Sequence, residues 1–180
     1  MNWNGALPQG CKPNVSTGEG PGRSIRRILV PTNFSPCSLR AVECAIGMAR
    51  QSNASLTILH VVDIDPPAAS SHYGTADDLI RPLWVRGNSE LAQLKQLAQE
   101  NQVRAQTLLV EGLPYEAIVE NSSGFDLLVI DEPQAKSHWN FFSRHTARRV
   151  IEQANCPVHV ARQETGLGDH VHPSEAKVAA

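Results

Sequence analysis

Residues 28–45 read ILVPTNFSPCSLRAVECA, and within this stretch one periodicity gives way to another. Ile28, Leu29 and Val30 form a compact apolar run, the pattern of a strand buried on both faces. Ser35 then offers a side chain able to cap a helix, and Pro36 follows at the first helical position, where a missing N–H does no harm. Beyond them Leu39, Val42, Ile46 and Ala49 recur at helical spacing, which gives a helix with one buried face. A strand handing directly to a helix is half of a parallel β/α repeat. Whether the chain repeats that unit decides the fold.

It does repeat it. ASLTILHVV (54–62) is a second β-branched, apolar strand. A proline-bearing connection, DIDPPAASSHYGTADDLIRP (63–82), leads before or into a helix whose apolar stripe is Leu91, Leu94, Leu97 and Ala98. VRAQTLLV (103–110) is a third strand, and LPYEAIVENSS (113–123) places Pro114 at the start of a short helix carrying Ile118 and Val119. FDLLVI (125–130) is a fourth strand, Ala147, Val150, Ile151 and Ala154 mark a last helix, and CPVHVA (156–161) is a fifth, short strand. Continuous apolar strands alternating with helices predict a five-stranded parallel sheet, doubly wound with helices on both faces, an α/β fold. Any ligand edge then lies at the carboxyl ends of strands one and four.

At 180 residues the chain has room for one domain with tails. Residues 1–23 are rich in glycine and proline and read as a flexible tail, as do residues 163–180, which leaves 24–162 as the folded unit. A net charge of −2 gives no support to a nucleic-acid or anionic-membrane surface. Arg144, Arg148 and Arg149 are the basic residues that cluster along the chain, and they read as a solvated helix face. No apolar run approaches the roughly 18–20 residues of a membrane span, and the N-terminus lacks the pattern of a signal peptide. A cytoplasmic location is expected. Cys11, Cys37, Cys44 and Cys156 form no C-x-x-C pair and read as free thiols, the last three packed as small apolar groups.

Four stretches, ILVPTNFSPCSLRAVECA (28–45), VEGLPYEAIVE (110–120), FDLLVID (125–131) and ANCPVHVA (154–161), in that order and spacing, resemble the universal stress protein (UspA-like) domain. The resemblance covers about 25–162. It implies the same five-stranded sheet, dimers, and a division into members that bind ATP and members that do not. In the nucleotide-binding members an acidic residue closes the first strand, and Asn33 stands there in this chain. The backbone at the end of the second strand, here Val61 and Val62, completes the base side. A Gly-x-x-Gly-x9-Gly-Ser/Thr loop after the fourth strand holds the phosphates.

Laid on DEPQAKSHWNFFSRHT (131–146), that loop falls on Asp131, Gln134, Arg144 and His145. All three glycines and the hydroxyl are missing. Glycine serves there because it permits positive φ and lets backbone N–H groups approach the anion. A carboxylate at about 5 Å from a phosphate charge adds roughly 3 kcal/mol of repulsion at an effective dielectric near 20. The usual ATP grip is therefore expected to be lost, with no cofactor held and Asp131 and Glu132 paired with Lys136, Arg144, His145 and Arg148. The alternative is a nucleotide binder, a slow ATPase at most, in which Arg144, His145 and Lys136 replace the loop glycines.

Other chemistry is thin. His138 and His145 form no i, i+4 pair, and DHVH (169–172) is short, so no metal site is indicated. Cys37, between Ser35 and Ser38 at a helix start, lacks a resolving partner within a few residues, and His60 reads as a satisfied core or rim histidine. No catalytic residue is assigned. Trp139, Phe141 and Phe142 fill the vacated loop or offer a protein-binding surface. The last strand, with Pro157, Val158, His159 and Val160, lies at a sheet edge, where the resemblance implies a homodimer. The expected role is a dimeric stress-response regulatory module acting through contacts with an unidentified protein, with neither nucleic acid nor membrane as partner.

Overall fold

The computed structural model describes residues 24–63, 76–131 and 144–161. Strands and helices alternate as β1 (Arg27–Pro31), α1 (Pro36–Ser52), β2 (Ser55–Val62), α2 (Ala76–Glu100), β3 (Ala105–Glu111), α3 (Pro114–Ser122), β4 (Leu127–Asp131), α4 (Arg144–Gln153) and β5 (Val158–Ala161). The sheet order is β3-β2-β1-β4-β5, with every pair parallel. The chain thus winds outward from β1 to β3, returns to β4 on the other side of β1, and ends at the β5 edge. The expected doubly wound sheet is the one observed, and its order reverses between β1 and β4.

Period-two alternation sorts the strand side chains onto two cores. Ile28, Val30, Leu56, Ile58, Leu127 and Val129 pack with Val42, Ile46 and Met48 of α1 and with Leu91 and Ala98 of α2. Leu29, Leu59, Val61, Leu128 and Ile130 pack with Ile118 of α3 and Ala147 and Val150 of α4. The start of β1 is pinned by Asp126, whose Oδ2 accepts from the backbone N–H groups of Arg26 and Arg27 at 3.0 and 2.9 Å. Helix α1 is capped by Ser35, carries Pro36 in its first turn, and stops at Asn53 in the left-handed region at φ 52°. An asparagine tolerates that conformation better than most side chains.

Three expectations need correction. Helix α2 begins at Ala76, well ahead of its apolar stripe, and runs through Pro82. Proline there removes one N–H from the helix ladder, and packing of the later turns overrides that local signal. Ile151, expected on the buried face of α4, is 47% exposed, and Ala154 lies just past the helix end. Cys37 and Cys156 are free and half-buried, as expected, but Cys44 is buried and disulfide-bonded, and its partner sulfur is not among the described residues. The two tails lie outside the described residues.

Truncating the fully buried Ile58 to alanine is expected to lower stability by about 2–5 kcal/mol. Ile151→Ala should stay within about 0.5 kcal/mol of the parent. Urea unfolding of both variants checks this; equal losses would return Ile151 to the core.

Candidate functional site

At the switch point β1 ends in a turn built from short polar side chains. Thr32 N–H donates to the Leu59 carbonyl at 2.8 Å, the last bond in line with the β1–β2 ladder. Thr32 Oγ1 then accepts from Phe34 N–H at 3.0 Å and lies 3.1 Å from Ser38 Oγ. Asn33 N–H donates to Ser38 Oγ at 3.3 Å, and Asn33 Oδ1 accepts from Ser35 N–H at 3.1 Å. Asn33 therefore shapes the entry to α1 with the oxygen of its amide. Phe34 sits at φ 61°, a strained value for an aromatic residue, held by these bonds.

His60 stands on the α2 side of β2 and ties that turn to the helix. Its Nδ1–H donates to the Thr32 carbonyl at 2.8 Å, which fixes the tautomer, and its ring centroid is 4.3 Å from that of Phe34. A Cβ at Gly87 of α2 would come within 3.1 Å of His60 Cδ2 and Leu109 Cδ1. Glycine lets α2 approach this closely. Burial pushes the His60 imidazole below its ordinary value; the bond to Thr32 opposes this and the Arg86 charge reinforces it. His60 is the satisfied rim histidine that the sequence suggests.

Alternation along β2 turns the Val61 N–H and C=O toward β1 and those of Val62 toward β3, where Gly112 N–H donates to the Val62 carbonyl at 3.1 Å. The β1–β2 register stops at Pro31↔Leu59, so Val61 faces the end of β1 beyond the last paired residues. Val61 is nonetheless only 3% exposed. That low exposure belongs to its side chain, which packs in the core under α3 and α4.

The expected phosphate side begins at the end of β4. Asp131 follows Leu127 and Val129 on the α1 face of β4, and its Oδ1 lies 3.6 Å from Arg40 Nη2, the side chains 12% and 35% exposed. That pair carries roughly 4 kcal/mol of gross attraction at an effective dielectric near 20, much of it offset by desolvation. An arginine of helix α1 is thus an ion-pair partner of Asp131 that the loop sequence does not suggest. Arg148 pairs with Glu152 one turn away at 2.7 Å. Arg144 and His145 open α4, with their side chains outside the described set; Glu132, Gln134, Lys136, His138, Trp139, Phe141 and Phe142 lie outside the described residues altogether.

Arg40 also sits beside Glu43, whose carboxyl is raised by burial against the lowering pull of Arg40. Carboxylates occupy the carboxyl ends of three strands: Asp63 after β2, Glu111 in β3 (accepting from Trp84 Nε1) and Asp131 in β4. Among the described residues no group of three or more His, Cys, Asp or Glu side chains is placed to hold a metal, and no helix is long and apolar enough to cross a membrane.

The family model of the universal stress proteins matches residues 24–162. This chain belongs to the universal stress protein family. The universal stress protein MJ0531 of Methanocaldococcus jannaschii is 30% identical over 140 residues, 77% of this chain and 82% of that relative. The structure of UspA from Lactobacillus plantarum superposes with a TM-score of 0.64 at 24% identity, covering 78% of this chain and all of the other. A universal stress protein solved in complex with cAMP superposes at 0.60 and 21% identity, covering 78% and 99%.

His60 has a folded-state value below its unfolded one, so the unfolded chain takes up the proton first as pH falls. The stability that neutral His60 contributes is present above the unfolded value of 6.5 and is lost as pH drops below it. His159 is shifted the same way by burial, so His60→Gln should flatten only part of the decline. Glu43 acts in the opposite sense, losing stability as pH rises above 4.5. Denaturant midpoints between about pH 7.5 and about pH 5 check this. Identical slopes in parent and variant would show that His60 titrates as if exposed.

Proposed function

We propose that this universal stress protein is a member without the usual ATP grip, a dimeric stress-response regulatory module that acts through protein contacts. The observation that carries this is the Asp131 carboxylate at the end of β4, where a phosphate loop would begin, held there by Arg40. Asp63 and Glu111 add negative charge to the same edge of the sheet. Bringing a triphosphate there means overcoming carboxylate repulsion without the close backbone approach that glycine permits. The β5 edge, ending beyond β4 with Val158, His159 and Val160 and preceded by Pro157, supports pairing with a second copy, because an open edge presents unpaired backbone groups.

A second reading is an adenine nucleotide with a short phosphate. It is favoured by the Val61 backbone, turned toward the end of β1 as a base-reading edge would be, and by the similar fold solved with cAMP. Its phosphate contacts would come from Lys136, Arg144 and His145.

Calorimetric titration of the full chain with Mg-ATP should give no saturable heat, whereas the Asp131→Gly/Gln134→Gly/Arg144→Gly variant should recover some. Wild-type binding in the micromolar range would overturn the lost-grip reading, and cAMP titrated in parallel separates the second reading from it. Sedimentation equilibrium should return twice the chain mass; a single chain mass at assay concentration removes the dimer.

A further inference from the structure

The amino ends of the strands carry the opposite charge to their carboxyl ends. Arg26 directly precedes β1 and Arg27 opens it, Arg50 lies in the last turn of α1, and Arg104 directly precedes β3; all four are exposed. The sheet assembles them from three separate segments. Ser55 N–H donates to the Arg26 carbonyl at 2.8 Å and Leu56 N–H to the Arg104 carbonyl at 2.9 Å, so the start of β2 is flanked by arginine on both sides. Strands about 4.8 Å apart place the outer two roughly 10 Å from each other. Arg50 joins them through Asn53, whose N–H reaches the Arg50 carbonyl just before the chain enters β2.

The ion pairs among the described residues, Arg40–Asp131 and Arg148–Glu152, involve none of the four. The acidic groups nearby are otherwise engaged: Asp126 Oδ2 accepts the Arg26 and Arg27 amides, and Glu100 Oε1 accepts from Gln96. The chain as a whole is at −2, so this edge runs against its net charge.

We propose that this amino edge is a docking surface for an acidic segment of a partner protein, its carboxylates taken by the guanidinium forks of Arg26, Arg27, Arg50 and Arg104. The proposal rests on the protein-contact reading above and names the chemistry of the partner. Guanidinium and carboxylate match in bidentate geometry. A nucleic-acid duplex fits less well: it carries a charge about every 1.7 Å, would find four cations on a short edge, and would meet repulsion from an acidic chain.

The test uses the full chain and a short fluorescein-labelled oligo-glutamate peptide, followed by anisotropy at about 0.05 M and about 0.3 M salt. The parent should bind saturably at low salt and lose affinity at high salt. Arg27→Gln/Arg104→Gln should bind about tenfold more weakly, Arg27→Lys/Arg104→Lys should retain part of the affinity, and Arg148→Gln/Arg149→Gln should match the parent. No binding by the parent, an equal loss in both glutamine variants, or displacement of the peptide by a duplex of equal charge would each overturn the proposal. The Mg-ATP titration probes only the opposite edge, so the two proposals fail separately.

Discussion

Everything in this molecule hangs on β1 being enclosed. Ile28, Leu29 and Val30 are fully buried, paired with β2 on one edge and β4 on the other, and covered by helices on both faces. A strand in that position has no solvent-facing side, so its sequence must be apolar at consecutive positions. Its termini alone can carry polar chemistry. That is where Asp126 pins the amino end and where Thr32, Asn33 and Ser38 build the turn at the other. The topological switch falls there because β1 is the strand from which the chain winds out in both directions.

Enclosure also explains how far the sequence could be read. The enclosed strands β1, β2 and β4 announce themselves as apolar runs, and the edge strands β3 and β5 still carry shorter apolar stretches, so all five were legible, as were the Ser35 cap and Pro36. What escaped depends on contacts between distant segments. The pairing of Asp131 with Arg40 could not be read from its neighbours, because β4 directs that side chain to α1, and Arg40 meets it only once β4 lies beside β1. Helix α2 crosses Pro82 because Leu91, Ala98 and the Gly87 contact anchor its later turns. Ile151 fits a helical stripe by spacing, yet α4 buries Ala147 and Val150 and leaves it to solvent. The candidate positions Asn33, Val61, Val62 and Asp131 do gather at the carboxyl edge, but spacing alone said nothing of the Asn33 bond to Ser35.

The turn after β1 shows how local bonds can end a ladder. A parallel ladder would continue with Val61 N–H to the Thr32 carbonyl. Instead His60 Nδ1–H takes that carbonyl, and Thr32 Oγ1 takes the Phe34 N–H that would have come next. Two side-chain bonds thus stop β1 while β2 runs on along β3 to Val62. The shape of the crevice is therefore set by Thr32 and His60 as much as by any residue that would face a ligand. That turn is independent of the loop after β4, since neither residue belongs to it.

The charges at the two ends of the sheet follow from the same geometry. Parallel strands place all their starts at one edge and all their ends at the other, so a residue preference at strand termini accumulates instead of cancelling, as it would in an antiparallel sheet. Here arginine accumulates at the starts, and Asp63, Glu111 and Asp131 at the ends. Helix dipoles act the other way: α1 and α2 run antiparallel to the strands and bring their negative ends to the arginine edge, where a cation such as Arg50 is favoured. The carboxyl edge receives the positive ends of those helices together with its carboxylates, which compete with any incoming phosphate for that field. An anion at that edge is already present, and it is covalently attached.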